Sequence, residues 1–218
     1  MKEISLFDIL GPVMIGPSSS HTAGALRLGN IAAMIYQEEA HQVDFYLHGS
    51  FAKTYRGHGT DLALVAGVLG LTTYDERIVG AFSLAEQAGI AFDFHEKDLG
   101  YVHPNTVKIV FDQSFSVTGS SLGGGRVEII EINGTEVSLQ GDYPTLVLQY
   151  EDQLGMIQKI SALMAGTGVN IATMKVTRQR RLATMVLELD GKMDLSTFKS
   201  LESLDFYYLA SVGAVEEK

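Results

Sequence analysis

With 218 residues, 46% of them apolar, the chain is long enough to bury a sizeable core, in one large domain or two small ones. Its formal charge of −10 leaves no basic stripe to displace counterions from phosphates, which argues against nucleic acid as the main partner. The absence of cysteine excludes disulfides, a thiol nucleophile and any thiolate-held zinc or iron–sulfur cluster within this chain. There is no secretory cleavage pattern and no apolar span of membrane length, so a cytoplasmic protein without a membrane partner is expected.

Residues 5–10 form a short apolar turn or helix ahead of Gly16-Pro17-Ser18-Ser19-Ser20-His21-Thr22-Ala23-Gly24, the stretch around which the chain is organised. There a turn opens into a helix whose first N–H groups lack intrahelical partners and carry the positive end of the helix dipole, a setting that suits an anion. Ser18, Ser19, Ser20 and Thr22 add hydroxyl donors, and His21 adds a group that titrates near neutral pH. One such residue is enough to cap a helix, so the surplus points to a small-anion site.

From His21 to Glu38 the residues favour helix, with Leu28, Ile31, Ala32 and Ile35 on one buried face. A strand over 43–47 turns Val43, Phe45 and Leu47 inward and ends at His48-Gly49-Ser50. The stretch 51–61 contains Arg56-Gly57-His58-Gly59-Thr60-Asp61, read as a glycine-bearing turn that leaves His58 unshielded, with Thr60 capping the next helix. That helix buries Leu62, Val65, Ala66 and Leu69. Ser83-Leu84-Ala85-Glu86 reads as a capping box, and Gly89 as a stop. Strands are predicted at 90–94, 107–111, 114–118 and 126–132, and Asn133-Gly134 marks a hairpin turn into 135–139. His103-Pro104-Asn105 and Gly119-Ser120-Ser121-Leu122-Gly123-Gly124-Gly125 are left as loops between strands.

Residues 140–144 read as a linker. Beyond it come a strand over 145–151, a helix over 156–165, strands over 171–178 and 182–189, a helix opening at Asp194 or Ser196, and a strand over 206–212. The basic run Arg178-Gln179-Arg180-Arg181 falls between two strands and reads as an exposed hairpin tip. The element order is βαββαβ, the ferredoxin-like plan. Asp152-x-x-Gly155-x-Ile157-x-x-Ile160 after the first strand and Gly168-Val169-Asn170-Ile171 before the second resemble the ACT domain, although Leu154 stands where that family often has proline. The resemblance implies side-by-side pairing of two copies, with an amino-acid effector site facing Asp152, Gly155 and Asn170.

In the N-terminal region the Ser-rich string, Gly57-His58-Gly59-Thr60-Asp61, His103-Pro104-Asn105 and Gly123-Gly124-Gly125 occur in an order that resembles the β subunits of two-chain, iron–sulfur-dependent L-serine dehydratases. The expected fold class is therefore α+β: an N-terminal substrate-binding-type domain over 1–140, then a ferredoxin-like ACT domain over 145–218. The resemblance implies β-elimination of water from L-serine, giving pyruvate and ammonia. It implies a [4Fe-4S] cluster held by a partner α subunit and not by this chain, which would be inactive alone and supplies no metal ligand. Imidazoles suit α-proton removal near neutral pH. His58 is the expected base and His21 its assistant, with Ser18, Ser19, Ser20, Thr22, His103, Asn105 and Gly124 binding substrate. The same region also resembles the allosteric substrate-binding domain of some phosphoglycerate dehydrogenases, which would make the chain a purely regulatory, amino-acid-binding subunit. His41, His48 and His95 read as surface or strand-end residues.

Overall fold

The computed structural model describes residues 18–202, 204 and 206–213. The segment 5–10, with Gly16 and Pro17 of the serine-rich string, lies outside the described residues. Contacts divide the chain into two units, 1–134 and 135–218, each mixing helices with a sheet in the α+β manner.

In the first unit Ser18, with extended backbone, caps a π-helical turn at Ser19–Gly24 that runs directly into α1 (Ala25–Tyr36). The predicted face, Leu28, Ile31, Ala32 and Ile35, is buried. β1 (Gln42–Leu47) alternates as expected, with Val43, Phe45 and Leu47 fully buried. The next stretch departs from the sequence reading. In place of a turn over 51–61 there is a helix, α2 (Gly49–His58), and His58 is its last residue. Phe51 and Tyr55, one helical turn apart, bury its inner face.

Gly59, at φ 66°, ends α2 and opens α3 (Thr60–Val68). Thr60 caps nothing: it is the first helical residue, fully buried, and its hydroxyl has no partner among the described residues. Of the predicted α3 face, Val65 and Ala66 are buried while Leu62 and Leu69 are half-buried. The shift follows from close packing on α1. A Cβ added to Gly67 would stand 2.2 Å from the Leu26 carbonyl oxygen, and one on Gly29 would stand 2.5 Å from that of Leu64, so the two backbones touch.

α4 (Ala81–Gln87) starts before the predicted capping box, so Ser83 lies inside the helix and makes no cap. The chain enters α4 through a 3₁₀ turn at Glu76–Gly80, which Asp75 caps by accepting the Arg77 N–H. Gly89 does stop the helix, at φ 74°. β2 (Ala91–Glu96), β3 (Thr106–Phe111), β4 (Phe115–Gly123) and β5 (Arg126–Ile132) follow, and within this unit the strands lie in the order β2-β1-β3-β4-β5, with β1–β2 their one parallel pair. β4 runs well past its predicted end at 118, because Gly119 and Ser120 pair with Val107 and Thr106. Only Gly124 and Gly125, both at positive φ, remain as a turn. Asn133 and Gly134, at φ 48° and 77°, form the predicted turn into β6 (Thr135–Leu139).

The second unit opens with β6 and carries β7 (Thr145–Glu151), α5 (Met156–Ala165), β8 (Ile171–Gln179), β9 (Leu182–Leu189), α6 (Leu195–Glu202) and β10 (Tyr208–Val212). Its sheet runs β10-β7-β9-β8 with every neighbouring pair antiparallel. Leu146, Leu148, Ile160, Met164, Met185 and Leu187 lie in its core. Of the two predicted caps for α6 it is Asp194 that accepts, from the Thr197 N–H at 2.7 Å. No helix among the described residues is long and apolar enough to cross a membrane.

Candidate active site

The serine-rich turn, the start and end of α2, the segment before β3 and the end of β4 meet within the first unit. Ser18 Oγ accepts the His21 N–H at 3.2 Å and lies 3.4 Å from His21 Nδ1. On the other side of the ring, Nε2 is 3.2 Å from Ser50 Oγ in the first turn of α2. Phe51 and His58 each meet the His21 ring edge to face, with centroids 5.3 and 4.8 Å away. Burial, and then the charge of His58, hold His21 below the ordinary imidazole value, so at neutral pH it is an uncharged ring between two hydroxyls. His58 is exposed, and among the described residues neither of its ring nitrogens has a hydrogen-bond partner.

The remaining members of the motifs have distinct places. Thr22 is buried and donates its hydroxyl to the His58 carbonyl at 3.4 Å, which ties the first turn to the end of α2. Ser19 and Ser20 are half-buried in the opening turn. The Ser20 carbonyl accepts Ser121 Oγ at 2.9 Å, and Gly24 permits this, since a Cβ there would stand 2.0 Å from Ser121 Oγ. The Pro104 carbonyl accepts the Ser50 N–H at 2.8 Å and the Phe51 N–H at 3.4 Å, capping α2 with backbone rather than a side chain. His103 is exposed, and its Nδ1 accepts the Asn105 N–H at 3.1 Å; the Asn105 carbonyl accepts the Ser121 N–H at 2.9 Å. Gly124 lies in the β4–β5 turn, and its neighbour Gly125 accepts from Arg27 Nη1 at 2.8 Å.

Ser50, Phe51, Arg27 and Ser121 were not among the expected site residues. Ser121 sat within the glycine-rich string and Ser50 in the strand-end triplet, so both were visible as positions but not as contacts. Asp61, beside the site, has its carboxyl pushed up by burial, against the opposing effects of the Leu62 N–H and Arg56.

In the second unit, Asp152 and Gly155 line a cleft of about 320 Å³ together with Tyr150, Leu154, Val176 and Arg178. Asp152 Oδ1 is 3.4 Å from Arg178 Nε. Gly155, at φ 85°, opens α5. Asn170 is not part of this cleft; it precedes the opposite end of β8 and donates Nδ2 to Asp190 Oδ2 at 2.9 Å. Among the described residues no group of three or more His, Asp or Glu is placed to hold a metal ion.

What meets in the first unit is a histidine pair at a hydroxyl-rich helix opening. Comparison with known proteins narrows this. The family model described as "Serine dehydratase beta chain" matches residues 5–81. The chain is 44% identical to the L-serine dehydratase beta chain of Peptoniphilus asaccharolyticus, over 87% of this chain and 89% of that one. It is 43% identical to the probable L-serine dehydratase beta chain of Bacillus subtilis, over 94% and 95%. A more distant likeness, 28% identity over 82% of this chain and 35% of the other, joins it to the D-3-phosphoglycerate dehydrogenase of Bacillus subtilis. The chain belongs to the L-serine dehydratase beta-chain family.

Proposed function

We propose that this chain is the β subunit of a cytoplasmic L-serine dehydratase, active only with an α subunit that holds a [4Fe-4S] cluster. The observation that carries the site assignment is the edge-to-face pair of His21 and His58 at a helix opening rich in hydroxyls. The chain's own residues do not fit the cluster: it has no cysteine to supply thiolates. The cluster's ligands are therefore assigned to the partner, and the contribution of this chain is considered apart from it.

In the overall reaction L-serine loses its α-proton and its β-hydroxyl as water, and the resulting enamine becomes an imine that water hydrolyses to pyruvate and ammonia. His58 takes the α-proton on a ring nitrogen, which its exposure, and the absence of a hydrogen-bond partner for the ring among the described residues, leave free to do. The substrate carboxylate sits against the Ser19 and Ser20 hydroxyls and the N–H groups of the opening turn. Ser18 and Thr22 act one step back, Ser18 by capping the turn and Thr22 by holding the His58 carbonyl. Neutral His21, fixed between Ser18 and Ser50, stabilises charge beside the substrate. His103, Asn105 and Gly124 complete the substrate side.

The second unit is read as an ACT domain, supported by its βαββαβ order and the antiparallel sequence β10-β7-β9-β8. It pairs with a second copy and takes an amino-acid effector in the cleft at Asp152 and Gly155, with Asn170 outside that cleft.

The likeness to a phosphoglycerate dehydrogenase supports a second reading, in which this chain only senses an amino acid and all chemistry belongs to the partner. Anaerobic pyruvate formation from L-serine separates the two, using this chain, the α partner and their mixture. Activity confined to the mixture, and lost to about 1% or less with His58→Ala, supports the catalytic reading. Equal activity from the partner alone removes it.

A further inference from the structure

The junction between β1 and α2 contains a residue that the motifs do not use. His48 follows β1, donates its backbone N–H to the Thr106 carbonyl at 3.0 Å, and accepts the Ala52 N–H at 3.3 Å. Its side chain is only 16% exposed. Its Nδ1 accepts the Leu99 N–H at 3.1 Å, with Asp98 Oδ1 3.5 Å away. Asp98 in turn accepts the Gly100 N–H at 2.8 Å. One residue beyond His48, Gly49 takes φ 56°, where an added Cβ would stand 2.7 Å from the Pro104 carbonyl oxygen. That same carbonyl caps α2 at Ser50 and Phe51. The segment 98–105 is thus fixed at both ends to one junction, by the His48 ring near Leu99 and by main chain at Pro104. His103 lies between the two anchors.

From this geometry we infer that His48 is a positioning residue of the site. By accepting the Leu99 N–H it clamps the segment 98–105 to the start of α2, and so sets where His103, Asn105 and Ser50 stand around His21. Its effect on turnover rests on the dehydratase reading above; the clamp itself does not. A nitrogen that accepts carries no proton, so the ring proton of His48 is on Nε2. Around the ring the contacts are the Leu99 N–H and the Asp98 carboxylate on Nδ1, while Thr106 on β3 and Ala52 on α2 hold the main chain of His48.

Full-length variants test the clamp. His48→Asn keeps an acceptor near the position of Nδ1, His48→Gln moves the acceptor one bond outward, and His48→Ala removes it. Amide hydrogen exchange over 98–103 is measured on the chain alone, and kcat and KM for L-serine on its mixture with the α partner; unchanged urea midpoints show that each variant is folded. The Asn variant is expected to exchange as wild type does, and the Gln and Ala variants about tenfold faster, with kcat about tenfold lower and KM less affected. The clamp is overturned if Asn exchanges as fast as Ala, or if all variants exchange as wild type. If exchange follows the expected order while kcat is unchanged throughout, His48 holds the segment without positioning the site, and the inference fails at that step. If the wild-type mixture forms no pyruvate, the dehydratase reading fails instead, and the exchange data still decide the clamp.

Discussion

Burial and the His58 charge act on His21 in the same direction, both disfavouring its protonated form. At neutral pH the ring is uncharged in the folded and unfolded chain, and it adds nothing to stability through titration. As pH falls below 6.5 the unfolded chain takes up a proton that the folded chain resists, so the fold weakens from there down to the lowered folded value. An NMR titration is expected to place the His21 midpoint below 6.5. His58→Ala should raise it only part of the way, because burial is the larger cause; no movement at all would mean that the two rings do not share a field. Asp75 has the opposite sign. The Arg77 side chain, reaching Oδ2 at 2.6 Å, and then its N–H hold the carboxyl down at about 2. This contribution is present above the unfolded carboxylate value of 3.8 and is lost as pH falls through about 2. Arg77→Ala should return the Asp75 midpoint toward 3.8, read from its carboxyl shift.

Where α1 and α3 cross, glycine lets backbone meet backbone, and a methyl group on Gly67 would force the helices apart. Gly67→Ala is expected to destabilise the fold by about 1–3 kcal/mol in urea unfolding. Gly57→Ala is its control: Gly57 lies within α2 with nothing near its Cβ position among the described residues, and the change should be neutral or stabilising by about 0.5–1 kcal/mol. These elements also show what sequence can and cannot reveal. β6, β7, α5 and β9 were legible to the residue, because alternation and helical spacing are local signals. α2 was not. Its last turn, Arg56-Gly57-His58, followed by Gly59, has the composition of a loop, and its cap comes from Pro104, far along the chain. The supposed cap at Ser83 failed for a related reason, since the 3₁₀ turn capped by Asp75 had already started the chain into α4. His21 and His58 could be singled out by composition; their contact depends on the fold of α1, α2 and β1 together.

Within the second unit, after β6, Gln140, Asp142 and Tyr143 are exposed in a stretch without helix or strand. Brief digestion with a protease of broad specificity is expected to cut within 140–144, giving fragments whose termini, read by mass, flank that stretch. Cuts within β3, β4 or β9 ahead of this one would contradict that exposure. In the first unit the parts of the site are joined largely through main-chain carbonyls: that of Ser20 to Ser121, His58 to Thr22, Pro104 to Ser50, Asn105 to Ser121 and Gly125 to Arg27. No exchange of the accepting residue's own side chain deletes such a carbonyl. A scan of alanine variants would therefore score Pro104 and Asn105 by their side chains and leave the cap on α2 in place. An ester in place of the Pro104–Asn105 amide weakens that carbonyl, and removes the Asn105 N–H that His103 Nδ1 accepts, without altering a side chain; it is the replacement that would reveal how much of the site's architecture is written in the backbone.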